Sequence, residues 1–223
     1  MTRRAVIFDL DGTLVDTAPD LMAATNYALS LLQRRSITMP EMRSFVGHGA
    51  KALIERGFAA TGDAIDGETL GYAHAEFLRY YENNISAGSA AFPGVIDLLE
   101  RCKAAKMELG VCTNKIECFS VQLLNALGLA KYFGAIVGPD TINIAKPDPA
   151  PLLETLKRLG CDAENAIMIG DSETDILTAR AAGVPIIAVT FGYTARHVAE
   201  FSPDHMVSHF DEIWEILNRP RPT

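Results

Sequence analysis

The strongest constraint on the fold is a set of short runs that are apolar along their whole length. Ala5–Phe8, Leu109–Cys112, Ala135–Val137, Ala166–Ile169 and Ile186–Val189 recur through the chain. They are too short for buried helices, and strands apolar on both faces belong in a parallel sheet covered by helices. The intervening segments supply those helices. Val95, Leu98, Leu99, Cys102 and Ala105 form one apolar stripe at helical spacing, and Leu152, Leu153, Leu156 and Leu159 form another. This alternation predicts an α/β chain.

One stretch breaks the pattern. From Asp16 to about Gly88 no run reads as a strand. Leu21, Ala24, Ala28 and Leu32 share a helical face, as do Leu70, Ala73, Phe77 and Tyr80. Thr38-Met39-Pro40-Glu41 reads as a capping box with proline in the first turn, where its missing N–H costs nothing. The small-residue run Ser86–Ala91 leads back to the alternating pattern. A chain of 223 residues has room for one large domain carrying such a helical insert.

In an open parallel sheet, ligands bind outside the carboxyl ends of the strands. Four polar clusters fall at such ends: Asp9-Leu10-Asp11-Gly12-Thr13, Thr113-Asn114-Lys115, Lys146-Pro147 and Gly170-Asp171-Ser172-Glu173-Thr174-Asp175. Each alone is ordinary turn or helix-cap chemistry. Together they bring carboxylates beside apolar strands, where Asp9, Asp11 and Asp171 repel one another unless a cation sits among them. A hard divalent ion with oxygen ligands fits, and Mg²⁺ is the common choice beside phosphate. Asp171 and Asp175, four apart, would share that metal from one helix face. Gly12 would let backbone N–H groups approach an anion, Thr113 offers a hydroxyl and Lys146 a fixed positive charge.

Composition closes off other classes. With 48% hydrophobic and 22% charged residues the chain should build a core rather than stay disordered. A net charge of −8 argues against nucleic-acid and anionic-membrane partners. No apolar run approaches the ~20 residues of a membrane span, and Ala5–Phe8 is too short for a signal-peptide core. Cys102, Cys112, Cys118 and Cys161 lack CxxC spacing, which points to reduced thiols and a cytoplasmic setting. No G-x-x-x-x-G-K-S/T loop exists for a kinase of that type.

The four clusters, in this order and across nearly the whole chain, resemble the signatures of the haloacid dehalogenase superfamily. The resemblance implies a Rossmann-like parallel sheet covered by helices on both faces, with a type 1 helical cap inserted after the first strand. The expected boundaries are 1–15 and 89–223 for the core and 16–88 for the cap. It implies Asp9 as the nucleophile that becomes an aspartyl-phosphate, and Asp11 as acid and then base. Mg²⁺ would be held by the Asp9 carboxylate, the Asp11 backbone carbonyl and Asp171, with Asp175 behind them or bound through water. Gly12, Thr113, Asn114 and Lys146 are the expected phosphate contacts. Dehalogenase members resemble this pattern but lack the second Asp, so Asp11 favours phosphoryl transfer.

Finer features resemble bacterial phosphoglycolate phosphatases: Phe8–Asp20, Val46-Gly47-His48-Gly49, Lys146–Leu152 and Thr190-Phe191-Gly192-Tyr193. The chain departs from that group's usual Tyr at Phe191 and usual His at Asp148. The expected function is a phosphomonoesterase for a small phosphorylated metabolite, with 2-phosphoglycolate leading. The alternatives are a phosphatase for a sugar phosphate, nucleotide or pyrophosphate, or a phosphomutase. A substrate carboxylate needs its own partner, and Arg43, His48 and Lys51 of the insert are the expected ones. The chain is expected to be a monomer or homodimer.

Overall fold

The computed structural model describes residues 4–194 and 196–218; the outermost expected core residues, 1–3 and 219–223, lie outside them. The chain opens with β1 (Ala5–Phe8) and the short β2 (Val15–Asp16). Four helices follow: α1 (Ala18–Leu31), α2 (Met39–Phe45), α3 (Gly49–Thr61) and α4 (Gly67–Asn83). After β3 (Ala90–Ala91) come α5 (Val95–Ala104), β4 (Glu108–Cys112), α6 (Glu117–Ala126), β5 (Ala135–Val137), α7 (Pro139–Ile142) and α8 (Ala150–Leu159). The remainder is β6 (Ala166–Gly170), α9 (Glu173–Ala181), β7 (Ile186–Val189), β8 (His205–Val207) and α10 (Phe210–Leu217).

Among the described residues the main sheet has six parallel strands in the order β5-β4-β1-β6-β7-β8. Its alternation explains why the strands are apolar on both sides. Val6 and Phe8 pack in one cluster with Leu98 of α5, Leu123 of α6 and Ile213 of α10. Ala5 and Ile7 point the other way, into a cluster with Leu152 and Leu156 of α8 and Ile176 and Ala179 of α9. Helices therefore cover both faces, as expected.

β1 lies between β4 and β6, with Phe8 opposite Val111 on one side and Ile169 on the other. The chain fills the sheet on the β4 side first and then crosses to the β6 side. The crevice beyond the end of β1 is thus the switch point where such sheets bind ligands.

All five expected strands are present. The structure adds β8, an edge strand whose His205 and Met206 are exposed, so no apolar run announces it. It also adds the antiparallel pair β2–β3, Val15 opposite Ala91 and Asp16 opposite Ala90, which is too short to carry a periodic signal.

The stretch between β2 and β3 is helical throughout. Thr38 and Glu41 form the expected capping box at α2, with the Thr38 N–H donating to Glu41 at 2.8 Å. On α4 the buried tyrosine is Tyr81 rather than Tyr80; Tyr80 stacks on Tyr27 of α1 at 4.7 Å between ring centroids. Leu32 falls just past the end of α1.

Asp20, in the first turn of α1, ties the two crossings together. Its carboxylate accepts from the N–H of Gly88 and Ser89 at 2.8 Å each and from the Ser89 hydroxyl at 2.6 Å. Asp20 is only 5% exposed, so its loss strands three donors. Asp20→Ala should lower stability by about 2–4 kcal/mol. The readout is a lower urea midpoint at an unchanged m-value.

Candidate active site

Four chain segments meet at the switch point because three neighbouring strands end there. Asp9 follows β1, Thr113 follows β4 and Asp171 follows β6, while Lys146 arrives on the loop before α8. The Asp9 N–H donates to Ile169 O at 2.9 Å and the Thr113 N–H to Val137 O at 3.0 Å. Each residue is therefore anchored by its backbone at the rim of the sheet.

Lys146 is the hub. Its ammonium, with 2% side-chain exposure, lies 2.9 Å from Asp9 Oδ1 and 2.6 Å from Asp175 Oδ1. It also donates to the Cys112 carbonyl at 2.8 Å. Burial works against this charge, but Asp175 and Asp9 more than offset it, and the pKa sits above the usual lysine value. The Asp9 contact is an ion contact rather than a hydrogen bond of good geometry, so Asp9 Oδ1 is buried without a hydrogen-bond donor.

One carboxylate oxygen from each of Asp9, Asp171 and Asp175 lies within 4.8 Å of the other two. Burial first, and then the charge on Asp175, push the Asp9 carboxyl up to about 6 despite Lys146. Burial and the neighbouring carboxylates Asp175 and Asp9 likewise hold Asp171 well above the usual carboxylate range. Three clustered acids, two of them on one ammonium and one of those with a donor-free oxygen, make an oxygen-rich anionic pocket that fits a hard divalent cation. A metal is thus what the donor set calls for.

The cluster forms by a route other than a shared helix face. Asp171 lies before α9, whose N-cap is Ser172. Asp175 is in the first turn and reaches back, accepting from the N–H of Asp171 and Ser172 at 3.2 and 3.1 Å and from the Ser172 hydroxyl at 2.6 Å. With its other oxygen on Lys146, Asp175 holds the helix start and the lysine, while Asp9 lines the crevice.

Gly12 and Gly192 allow Asp171 to sit where it does. Gly12 has φ +85°, and a Cβ there would fall 2.5 Å from Asp171 Oδ2; a Cβ at Gly192 would fall 2.2 Å from Asp171 Cβ. The Gly12 N–H is used within its own turn, donating to Val15 O at 2.9 Å, so its place in the site is close approach rather than presenting its own N–H to an anion. Thr13 donates to Asp171 at 3.0 Å and the Tyr193 N–H at 2.5 Å. The Tyr193 hydroxyl donates to Asp16 and accepts from the Ala18 N–H.

Asn114 serves the scaffold. Its side chain accepts from the Lys146 N–H at 2.9 Å and donates to the carbonyls of Lys146 and Gly47 at 3.0 and 3.1 Å. The Thr113 hydroxyl accepts from the Lys115 N–H at 3.2 Å.

A cavity closes over this floor. About 60 Å³ is open to water-sized spheres, where one water needs about 10–15 Å³. Asp9, Asp11, Thr113, Asn114, Lys115, Lys146 and Ser172 line one side. Gly47, Gly49, Leu53, Phe77, Leu78 and Tyr81, from the helices between β2 and β3, line the other. Arg43, His48 and Lys51 do not line it. Arg43 pairs with Asp16 at 3.2 Å and sits over the Tyr193 ring, and all three are exposed. The expected cap cations therefore flank the hinge or face outward.

Lys115 is the residue that sequence reasoning passed over. Its buried ammonium lies 3.1 and 3.2 Å from the two oxygens of Asp11 and 4.5 Å from the Tyr81 ring centroid. In the sequence it reads as turn chemistry beside Asn114. Only the approach of β1 and β4 shows that it faces Asp11.

A haloacid dehalogenase-like hydrolase family model matches residues 6–189. A phosphoglycolate phosphatase from Mesorhizobium japonicum is 46% identical over 213 residues, spanning 96% of this chain and 94% of its own length. One from Caulobacter vibrioides is 42% identical, over 93% of this chain and 88% of its own. The crystal structure of a predicted phosphoglycolate phosphatase from Haemophilus somnus matches with a TM-score of 0.92 at 29% identity, covering 98% of this chain and 99% of that one. Sheet order, carboxylate cluster and these matches agree, and the chain belongs to the haloacid dehalogenase-like hydrolase family.

Proposed function

We propose that the protein is a Mg²⁺-dependent phosphatase that hydrolyses 2-phosphoglycolate to glycolate and phosphate through a phosphorylated Asp9. The observation that carries this reading is the cluster of Asp9, Asp171 and Asp175 beside a small cavity lined by Asp9 and Lys146, in a chain 46% identical to a phosphoglycolate phosphatase along nearly its whole length. Residues 16–88 act as a cap on a core of 1–15 and 89–223, with β2–β3 and Asp20 at the two crossings.

The chemistry follows from the charges. A carboxylate ~3.5 Å from a phosphate dianion is repelled by roughly 9 kcal/mol at an effective dielectric of ~20. Lys146, beside Asp9, offsets part of this. Asp9 and Asp171, with the Asp11 backbone carbonyl, would hold Mg²⁺, which supplies charge neutralisation on the phosphoryl oxygens when bound. Asp9 attacks phosphorus as the ester bond to the alcohol oxygen breaks, and Asp11 protonates that oxygen. Asp11 then takes the proton of the water that releases phosphate from Asp9. Thr113 binds a phosphoryl oxygen, Asn114 holds the Lys146 loop in place, and closure of the apolar cap wall excludes water until hydrolysis.

The four cysteines are free thiols, which suits the cytoplasm, and among the described residues no helix is long and apolar enough to cross a membrane. The net charge of −8 favours a small-molecule partner over nucleic acid.

Asp9→Asn should fold normally and lose turnover of 2-phosphoglycolate, because an amide cannot attack phosphorus. Ordinary turnover by the folded variant would end the covalent reading. EDTA should abolish phosphate release by the wild-type protein, and Mg²⁺ should restore it.

Metal binding should also appear in stability. The Asp9 carboxyl is raised from 3.8 to about 6 in the folded, metal-free protein. Its contribution to stability is complete below pH 3.8 and is lost as pH rises through about 6. A fixed Mg²⁺ concentration about 100 times its Kd at pH 8 should add about 2.7 kcal/mol there, or about 5–11 °C in Tm for a chain of this size. The shift should be larger at pH 8 than at pH 5, where protons compete for Asp9 and Asp171, and small in Asp171→Asn. Equal shifts at both pH values would contradict the assignment.

A further inference from the structure

We infer that Lys115 is the specificity-determining residue that binds the carboxylate of the substrate; this rests on the proposed hydrolysis of a small phosphorylated acid. Such a substrate carries two anions joined by a short carbon link. The phosphoryl group belongs at Asp9 and Lys146. A second cation must meet the carboxylate, because burying it unpaired costs far more than a lost hydrogen bond.

The cavity wall offers one answer. The lining residues from the helices between β2 and β3 are apolar or glycine apart from the Tyr81 hydroxyl, and Arg43, His48 and Lys51 are absent from it. Among the described lining residues the cations are Lys115 and Lys146. Lys146 already donates to Asp175 and the Cys112 carbonyl and lies against the Asp9 carboxylate. Lys115 faces Asp11 alone among carboxylates, at 3.1 and 3.2 Å. An ammonium has three donors, so Lys115 can hold Asp11 and still direct a proton to a second carboxylate.

Its surroundings keep that charge available. Burial opposes the Lys115 ammonium, but Asp11 and Tyr81 more than offset it, and it stays protonated. Tyr81 lies under the ammonium, and its buried hydroxyl meets no partner at hydrogen-bonding geometry. This side of the cavity therefore holds unused polar capacity beside a cation, with apolar residues around it. The two lysines stand against two aspartates two positions apart in sequence, Lys146 on Asp9 and Lys115 on Asp11.

The test compares 2-phosphoglycolate with ethyl phosphate, which keeps the ester and lacks the carboxylate. Both are assayed as kcat/KM on wild-type protein and on Lys115→Met. Ethyl phosphate reports the folded, working site and absorbs any effect transmitted through Asp11. The preference for 2-phosphoglycolate should fall roughly 10–100-fold in the variant, the range for a charge-assisted hydrogen bond, mainly through KM. If wild type prefers 2-phosphoglycolate and Lys115→Met keeps that preference, Lys115 does not read the carboxylate, while the phosphatase assignment stands. If wild type hydrolyses both equally, the substrate reading itself fails and takes this inference with it. Lys115→Gln is read in the same way should Lys115→Met not fold.

Discussion

Everything at this site is organised around one buried ammonium. Lys146 is drawn into the crevice by Asp175 at 2.6 Å and Asp9 at 2.9 Å. Removing three such charges from water is costly, and only close pairing with further hydrogen bonds offsets it. The structure supplies those bonds: Cys112 takes one lysine proton, and Ser172 with the Asp171 backbone satisfies Asp175. The lysine thereby locks three distant segments together: the end of β1, the loop before α8 and the start of α9. The cluster keeps more acid than base, which is an unfavourable arrangement for stability alone and a favourable one for a cation.

A second chain of contacts runs from this cluster to the cap. The Tyr193 backbone N–H holds Asp171, its hydroxyl reaches Asp16 at the first crossing, and Asp16 pairs with Arg43 of α2. Asp20 binds the second crossing through Gly88 and Ser89. Asn114 touches the cap loop directly at the Gly47 carbonyl. The helices between β2 and β3 are thus tied by polar contacts at their two ends and at one loop, while the wall they turn to the cavity is apolar.

The placement of charge divides labour between the two lysines. Lys146 lies against two carboxylates and donates to the Cys112 carbonyl. Lys115 has one carboxylate partner and a free direction toward the cavity. Arg43, His48 and Lys51 resemble better candidates in the sequence, since they combine charge with glycines in one loop. Arg43 lies on α2 and Lys51 on α3, and between them this segment turns Gly47 and Gly49 to the cavity.

Much of this protein is determined by the sequence itself. Apolar runs at Ala5–Phe8 and Ala166–Ile169 can be satisfied only inside a covered parallel sheet, and Thr38 with Glu41 starts a helix by purely local bonding. The order of the acidic and basic clusters marks the crevice, because strand ends in such a sheet must converge there. Strand β8 and the pair β2–β3 were not legible, since their hydrogen bonds come from partners far along the chain and their side chains carry no period. The same reason hides Lys115 and Tyr193. What each does depends on which carboxylate it meets, and those carboxylates, Asp11 and Asp171, are 104 and 22 residues away. Local chemistry decided the elements and the residue types at the rim, whereas the packing of β1 between β4 and β6 decided which charges face one another.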